Sequence, residues 1–311
     1  MDYSCRVVIG VLLGLCAIGT QAAADKPLLP VSAHWLHENS ALEHIASVPS
    51  ECLNPAAPVA VVLGRLAFES PALLGGQSAR MGLSCSACHL SARSNPHFYL
   101  EGISGAAGTA DVSQSFLSSS GGNDDFSPKI IPDLAVYNQR GIKDRTGEAF
   151  RAKLRQLIEV EFDGQAALPV VFDALTQYLI NIDQRYCSSL TADVQRSWRT
   201  DWLRLYETTE LLAAAFKEED RDLTNFLIRV GRYRLENVYR AVGLIDHRPL
   251  KTKLVESSRS LAALARMTKQ QQLSGLAQWR QQSMALTPLL EQVEPKSAYN
   301  RQALQRLAKK L

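Results

Sequence analysis

Cys85-Ser86-Ala87-Cys88-His89 is a C-x-x-C-H pentapeptide. Two thiols separated by two residues can reach the two vinyl groups on one edge of a porphyrin. The histidine that follows then falls beneath the iron and can serve as its proximal ligand. In an exported chain this spacing is the attachment signature of a c-type haem. Three other readings compete. A redox C-x-x-C belongs at a helix N-terminus within a β/α pattern, which the neighbouring sequence lacks. A zinc site wants a second pair of ligands at similar spacing, and the chain offers none. The third is coincidence. The expectation is one haem c per chain, held covalently by Cys85 and Cys88, with His89 as the axial ligand.

That chemistry requires export, and the N-terminus is built for it. Met1 to Arg6 carries one basic side chain, Val7 to Ile18 is an apolar run, and Ala22-Ala23-Ala24 precedes Asp25. A short charged region, an apolar core and an A-x-A site make a cleavable secretory signal over residues 1–24. The apolar run is shorter than the roughly twenty residues that a bilayer span needs. An uncleaved anchor and a lipoprotein built on Cys16 are the competing readings, the second weakened by the bulky Leu15. The expected location is the periplasm of a Gram-negative bacterium, with no integral membrane span after cleavage. Cys5 and Cys16 leave with the signal. Cys52, Cys85, Cys88 and Cys187 remain, and four thiols in an exported protein call for bonds to something.

The elements that must position the motif are helical. Among 311 residues, 46% are hydrophobic and 21% charged, which excludes disordered and collagen-like chains. The 34 basic against 31 acidic residues give a net charge of +3. That excess is spread along the chain, so no nucleic-acid partner is expected. Val62 to Phe68 has helical apolar spacing and stops at Ser70-Pro71. Leu73-Leu74-Gly75-Gly76 leads into the motif, Asn95-Pro96-His97-Phe98 is turn-rich, and Gly102 to Asp125 is a Gly/Ser/Asp-rich loop. A short β-hairpin is expected within Ser104 to Phe126.

The segment LGRLAFESPALLGGQSARMGLSCSACH, the Gly-rich loop and then IIPDLAVYN together resemble the bacterial dihaem cytochrome c peroxidase and MauG-like superfamily. EFDGQAALPVVFDALTQYLINID is similar to that superfamily's closing helix, with Leu175, Tyr178 and Leu179 on one face. The likeness covers about residues 58 to 185. It implies an all-α chain: a 25–57 N-terminal segment, a cytochrome c-like haem domain over 58–187 with its long loop, and a C-terminal helical domain over 188–311. Two departures matter. The relatives carry two haem motifs, whereas a second C-x-x-C-H is missing here. The usual distal His, Gln and Glu arrangement is also missing, since His97 follows His89 by only eight residues. In such a domain the first and last helices touch, so Cys52 and Cys187, which flank them, are candidates for a disulfide. Two buried free thiols are the alternative.

The distal ligand decides between electron transfer and small-molecule chemistry. His97 is a candidate. So are Met81, Met267 and Met284, other histidines, Tyr137 and an open or water-bound site. Met267 and Met284 fit better as core fillers. His34 and His37, three apart, could hold a metal, but they read more simply as flanks of a helix packed through Trp35 and Leu36.

From Leu190 the pattern is helical throughout: one run through Trp198 and Leu212, one from Leu223 to Val242, one from Leu250 to Ala285, and a last from Ala298 to Lys310. Arg229, Arg232, Arg234 and Arg240 cluster with Tyr233 and Tyr239. They could meet an acidic redox partner or haem propionates, or simply form a solvated face. The reading that follows is a monohaem cytochrome passing single electrons to a periplasmic redox partner protein. Two alternatives stand beside it. One is a peroxidase or MauG-like oxidase with an open haem site, for which Glu101, Gln114 and His97 are the nearest acid–base candidates. The other is a haem-carrying subunit of a larger redox complex.

Overall fold

The computed structural model describes residues 29–118, 123, 125–136, 147–164, 167–187 and 193–309. Residues 1–24, expected to be a signal, including Cys5 and Cys16, and Tyr137 lie outside them. The described chain is mostly helical. Trp35 ends a 3-10 turn (Val31–Trp35) and is buried, and a second 3-10 turn (Leu42–Ala46) precedes the short strand β1 (Ser47–Pro49).

Helix α1 (Ala60–Phe68) buries Val61, Leu63, Leu66, Ala67 and Phe68. It stops where Ser70 Oγ accepts the Ala72 N–H and Pro71 opens a 3-10 turn. A proline has no N–H to continue the helical ladder and is at home in a first turn. Then come α2 (Gly76–Arg80) and α3 (Cys85–Cys88), the latter a single turn made of the motif itself. The loop beyond is closed by a two-residue antiparallel ladder. Strand β2 (Thr109–Ala110) pairs with β3 (Lys129–Ile130), so the ladder's second strand lies past the window in which a hairpin was expected. Helix α4 (Glu148–Gln156) runs into a π-turn (Leu157–Glu161), and α5 (Pro169–Ile180) starts with proline in its first turn.

Helices α1 and α5 cross in contact. Gly64 makes this possible, because a Cβ there would lie 2.0 Å from the Ala174 carbonyl oxygen. Phe68 and Tyr178 meet across the crossing with ring centroids 5.3 Å apart. Leu175, Tyr178 and Leu179 are buried together, as the sequence pattern implied.

Strand β4 (Asp193–Gln195) pairs antiparallel with β1, tying the start of the described chain to the segment after α5. Residues 193–195 were expected to open a helix. The helix begins only at α6 (Trp198–Glu218), where Ser197 Oγ accepts the Arg199 N–H as N-cap. Next is α7 (Arg221–Ala241), capped by Asp220. The single long helix expected over 250–285 is two: α8 (Arg248–Ala263) and α9 (Lys269–Met284). The break is local, because Thr268 and Gln271 form a capping box that starts a new helix. Helix α10 (Thr287–Val293) follows, and α11 (Arg301–Ala308), capped by Asn300, packs on the 42–46 turn. Buried apolar side chains form one contiguous cluster from Trp35 to Leu304. Met267 and Met284 are not in it. They are 40% and 57% exposed, Met267 in the α8–α9 break and Met284 at the C-terminal end of α9, so neither fills the core. Among the described residues no helix is long and apolar enough to cross a membrane.

Candidate functional site: the Cys85–His89 turn and its supports

The motif turn is fixed from several sides. The His89 N–H donates to the Cys85 carbonyl, and Asn95 Nδ2 donates to the Ala87 carbonyl at 2.8 Å. Ser84 and Ser86 share a hydroxyl contact of 2.9 Å. Cys85 and Cys88 are free thiols on one helical turn. Burial pushes both up to about 12, with Cys88 raised further by its neighbour Cys85. Both side chains are partly exposed, but the raised pKa keeps them protonated at neutral pH, unlike an activated redox C-x-x-C, whose nucleophile is a low-pKa thiolate.

His89 Nδ1 stands 3.1 Å from the Pro132 carbonyl oxygen. A carbonyl only accepts, so Nδ1 carries the proton and Nε2 keeps its lone pair. Metal-bound histidines are held this way, with the second ring nitrogen donating to a backbone carbonyl or carboxylate. Burial lowers the His89 pKa, outweighing the contacts with Pro132, the Arg93 backbone and Asp133 that favour the charged form. The imidazole is thereby kept neutral, the form in which it ligates a metal. Phe68 lies at 6.5 Å, ring centroid to ring centroid. The sequence marked Pro132 only as part of a resemblance, and its part as acceptor came from the fold. Phe68 and Asp133 were read only as members of longer segments, and Arg93 gave no sequence signal at all.

Cys52 and Cys187 are joined, across a sequence separation of 135 residues. The pair sits where the chain enters and leaves the α1–α5 unit. Leu53 bridges Ile182, and the Asp183 N–H donates to the Cys52 carbonyl. A disulfide is compatible with an oxidising compartment.

His97 has another partner than the motif. Its ring stacks on His44, with centroids 3.7 Å apart and planes 10° from parallel. Burial lowers its pKa, and His44 lowers it further. Both rings line a cavity of about 230 Å³ between the motif turn, β1 and the α6–α7 pair. Ser84, Ser86, Ala87 and Leu90 line that cavity, whereas Cys85, Cys88 and His89 do not. His97 therefore opens onto a cavity that the two thiols and His89 do not line. Glu101 is exposed, and Gln114 donates to Asp111 at 2.9 Å. His37 packs edge-on against Tyr99 and accepts the Asn39 N–H, while His34 is exposed. Among the described residues no group of three or more His, Cys, Asp or Glu is arranged to hold a bare metal ion.

The arginine cluster of α7 does not act as one surface. Arg229 and Arg232 are exposed, Arg240 pairs with Glu236, and Arg234 is buried. Arg234 reaches Glu69 at 2.6 Å, and Glu69 also faces Arg204 at 3.4 Å. Arg65 on α1 pairs with Glu51 and Glu207, and Glu51 accepts from Tyr178 at 2.7 Å. Burial alone would raise Glu69, but Arg234, Arg204 and Arg65 together hold its carboxyl below the ordinary value. These side chains knit α1 to α6 and α7.

No protein-family model, curated protein or solved structure matches the chain.

Proposed function

We propose that this protein is an exported c-type monohaem cytochrome that passes single electrons to a redox partner protein in the periplasm. The observation that carries the reading is the state of His89. Its Nδ1–H is committed to the Pro132 carbonyl, which leaves the lone pair on Nε2, on the same turn as two unbonded thiols. Cys85 and Cys88 would hold the haem covalently, and His89 Nε2 would ligate the iron. A bound haem supplies a one-electron couple between ferrous and ferric iron. The chain's own contribution is to fix the imidazole, to keep it neutral by burial, and to surround it with apolar groups such as Phe68. The contact of α1 with α5, closed by the Cys52–Cys187 bond, supports a cytochrome c-like domain around the motif. Helices α6 and α7 buttress that domain through Arg65, Arg204 and Arg234.

The test is the visible spectrum of protein produced with the c-type maturation machinery, oxidised and dithionite-reduced. Sharp reduced α and β bands, unmoved by carbon monoxide or cyanide, are expected for six-coordinate iron in electron transfer. A high-spin spectrum that shifts promptly with peroxide would replace this reading with an open-site oxidase or peroxidase. Absence of covalent haem would end it.

A further inference from the structure

His89 is not held by Pro132 alone. The Arg93 guanidinium, buried at 6% exposure, donates from Nε to Asp133 Oδ2 at 2.6 Å. Its Nη1 lies 3.4 Å from Cys52 Sγ, one half of the disulfide. Asp133 Oδ1 accepts the Ala135 N–H at 2.9 Å, and the Ala135 carbonyl accepts the Gln184 N–H. Asp133 immediately follows Pro132, so its carboxylate pins the peptide whose carbonyl meets the imidazole. On the other side Ser91 and Ala92 both have positive φ, 53° and 56°. Consecutive left-handed non-glycine residues are strained, and such strain persists only where the surroundings enforce it. Here that bend carries the chain from His89 to Arg93 within four residues. The result is a closed ring: His89, the bend, Arg93, Asp133, Pro132 and back to the imidazole.

We infer that Arg93 and Asp133 are positioning residues for His89: they set the Pro132 carbonyl that orients the ring and strengthens its Nδ1–H bond. The inference rests on the reading of His89 as iron ligand. Groups that orient a ligating histidine raise its basicity, and their loss typically costs 10- to 100-fold in metal affinity. A more basic imidazole favours ferric over ferrous iron. Weakening the clamp should therefore raise the reduction potential. A ten-fold loss of ferric preference corresponds to about 59 mV for one electron.

Arg93→Lys is the diagnostic variant. It keeps the positive charge and loses the planar fork that reaches Asp133 and Cys52 together. The potential of the matured full-length protein is measured by redox titration. The lifetime of the His89 Nδ1 proton is measured by NMR on chain labelled with ¹⁵N-histidine. The second readout needs no haem, so it stands even if the cofactor reading fails. The expected result is a potential about 59 mV higher and a proton exchanging at least ten-fold faster. A purely electrostatic or purely structural Arg93 predicts an unchanged potential in Arg93→Lys. Should that variant not fold, Asp133→Asn, which keeps the side-chain volume, must still speed the proton exchange ten-fold. An unchanged proton lifetime in either folded variant overturns the inference. So does a normal potential in folded Arg93→Lys.

Discussion

Replacing Gly64 by alanine sets two effects of opposite sign against each other. In an isolated helix Gly→Ala stabilises by about 1 kcal/mol. At this position the new Cβ would lie 2.0 Å from the Ala174 carbonyl oxygen, 2.5 Å from its carbon and 2.8 Å from Tyr178 Cβ. Carbon–oxygen contacts settle at roughly 3.3–3.6 Å, so α1 and α5 must part by more than about 1 Å. Neither obstacle is a flexible side-chain tip that could swing aside, because the carbonyl belongs to the α5 ladder. A gap of 0.5–1 Å forfeits roughly a quarter to a half of each dispersion contact, and a buried large side chain is worth about 1.5–3 kcal/mol. Phe68, Leu175, Tyr178 and their neighbours would together lose about 4 kcal/mol. The net effect expected of Gly64→Ala is destabilisation by about 3 kcal/mol, read as a lower urea midpoint by far-UV circular dichroism at constant m. A variant as stable as the parent, or more so, would mean that the helices do not approach at Gly64, and the crossing as described would be wrong.

Three further outcomes follow from the geometry. Removing the Cys52–Cys187 bond with a double alanine variant frees a loop of 135 residues; on the chain-entropy relation this costs about 5 kcal/mol, measured by denaturant unfolding, and a loss below about 1 kcal/mol would place the bond's effect elsewhere. Glu69 has a folded-state pKa below its ordinary 4.5, so the stability it contributes is complete above that value and is lost as pH falls through the lower folded one. The stability gap between the parent and Glu69→Gln should therefore narrow in acid below 4.5 and stay level from there to neutrality, and a gap that widens in acid would reverse the sign. Cys85 and Cys88, pushed up to about 12, should react with iodoacetamide at pH 8 at least roughly ten-fold more slowly in the folded haem-free chain than after denaturation, because the loss of thiolate outweighs the greater nucleophilicity of a more basic one; equal rates would mean that the fold does not raise the thiols.

Some of this was legible in the residues and some was not. The motif and the apolar stripe of α1 were readable because spacing alone carries them, whereas the face of α5 was implied by the resemblance. The boundary between α8 and α9 was missed because apolar periodicity continues through it, and only the Thr268–Gln271 cap betrays the restart. The segment 193–195 read as helix, since nothing local announces a strand whose partner lies near residue 48. Arg234 looked like one of four surface arginines. Its burial depends on Glu69, 165 positions away, and long-range ion pairs leave no local pattern. The same holds for the site: Cys85, Cys88 and His89 stand together in sequence, while Pro132, Arg93 and Asp133 meet them only through the fold.

The pairing of β1 with β4 and the seat of α11 on the 42–46 turn tie the segment around residues 42–49 to parts of the chain about 150 and 260 positions away. Gln305 donates to Glu43 at 3.2 Å, and the Arg196 N–H donates to the Ala46 carbonyl at 2.8 Å. Contacts of such sequence separation are entropically late, because most of the chain must be ordered before they can form. The segment around residues 42–49, although it emerges early in synthesis, is thus among the last to dock. The same seam is the natural place for the native state to open first, and amide hydrogens along β1 should exchange well before those of the α1–α5 crossing.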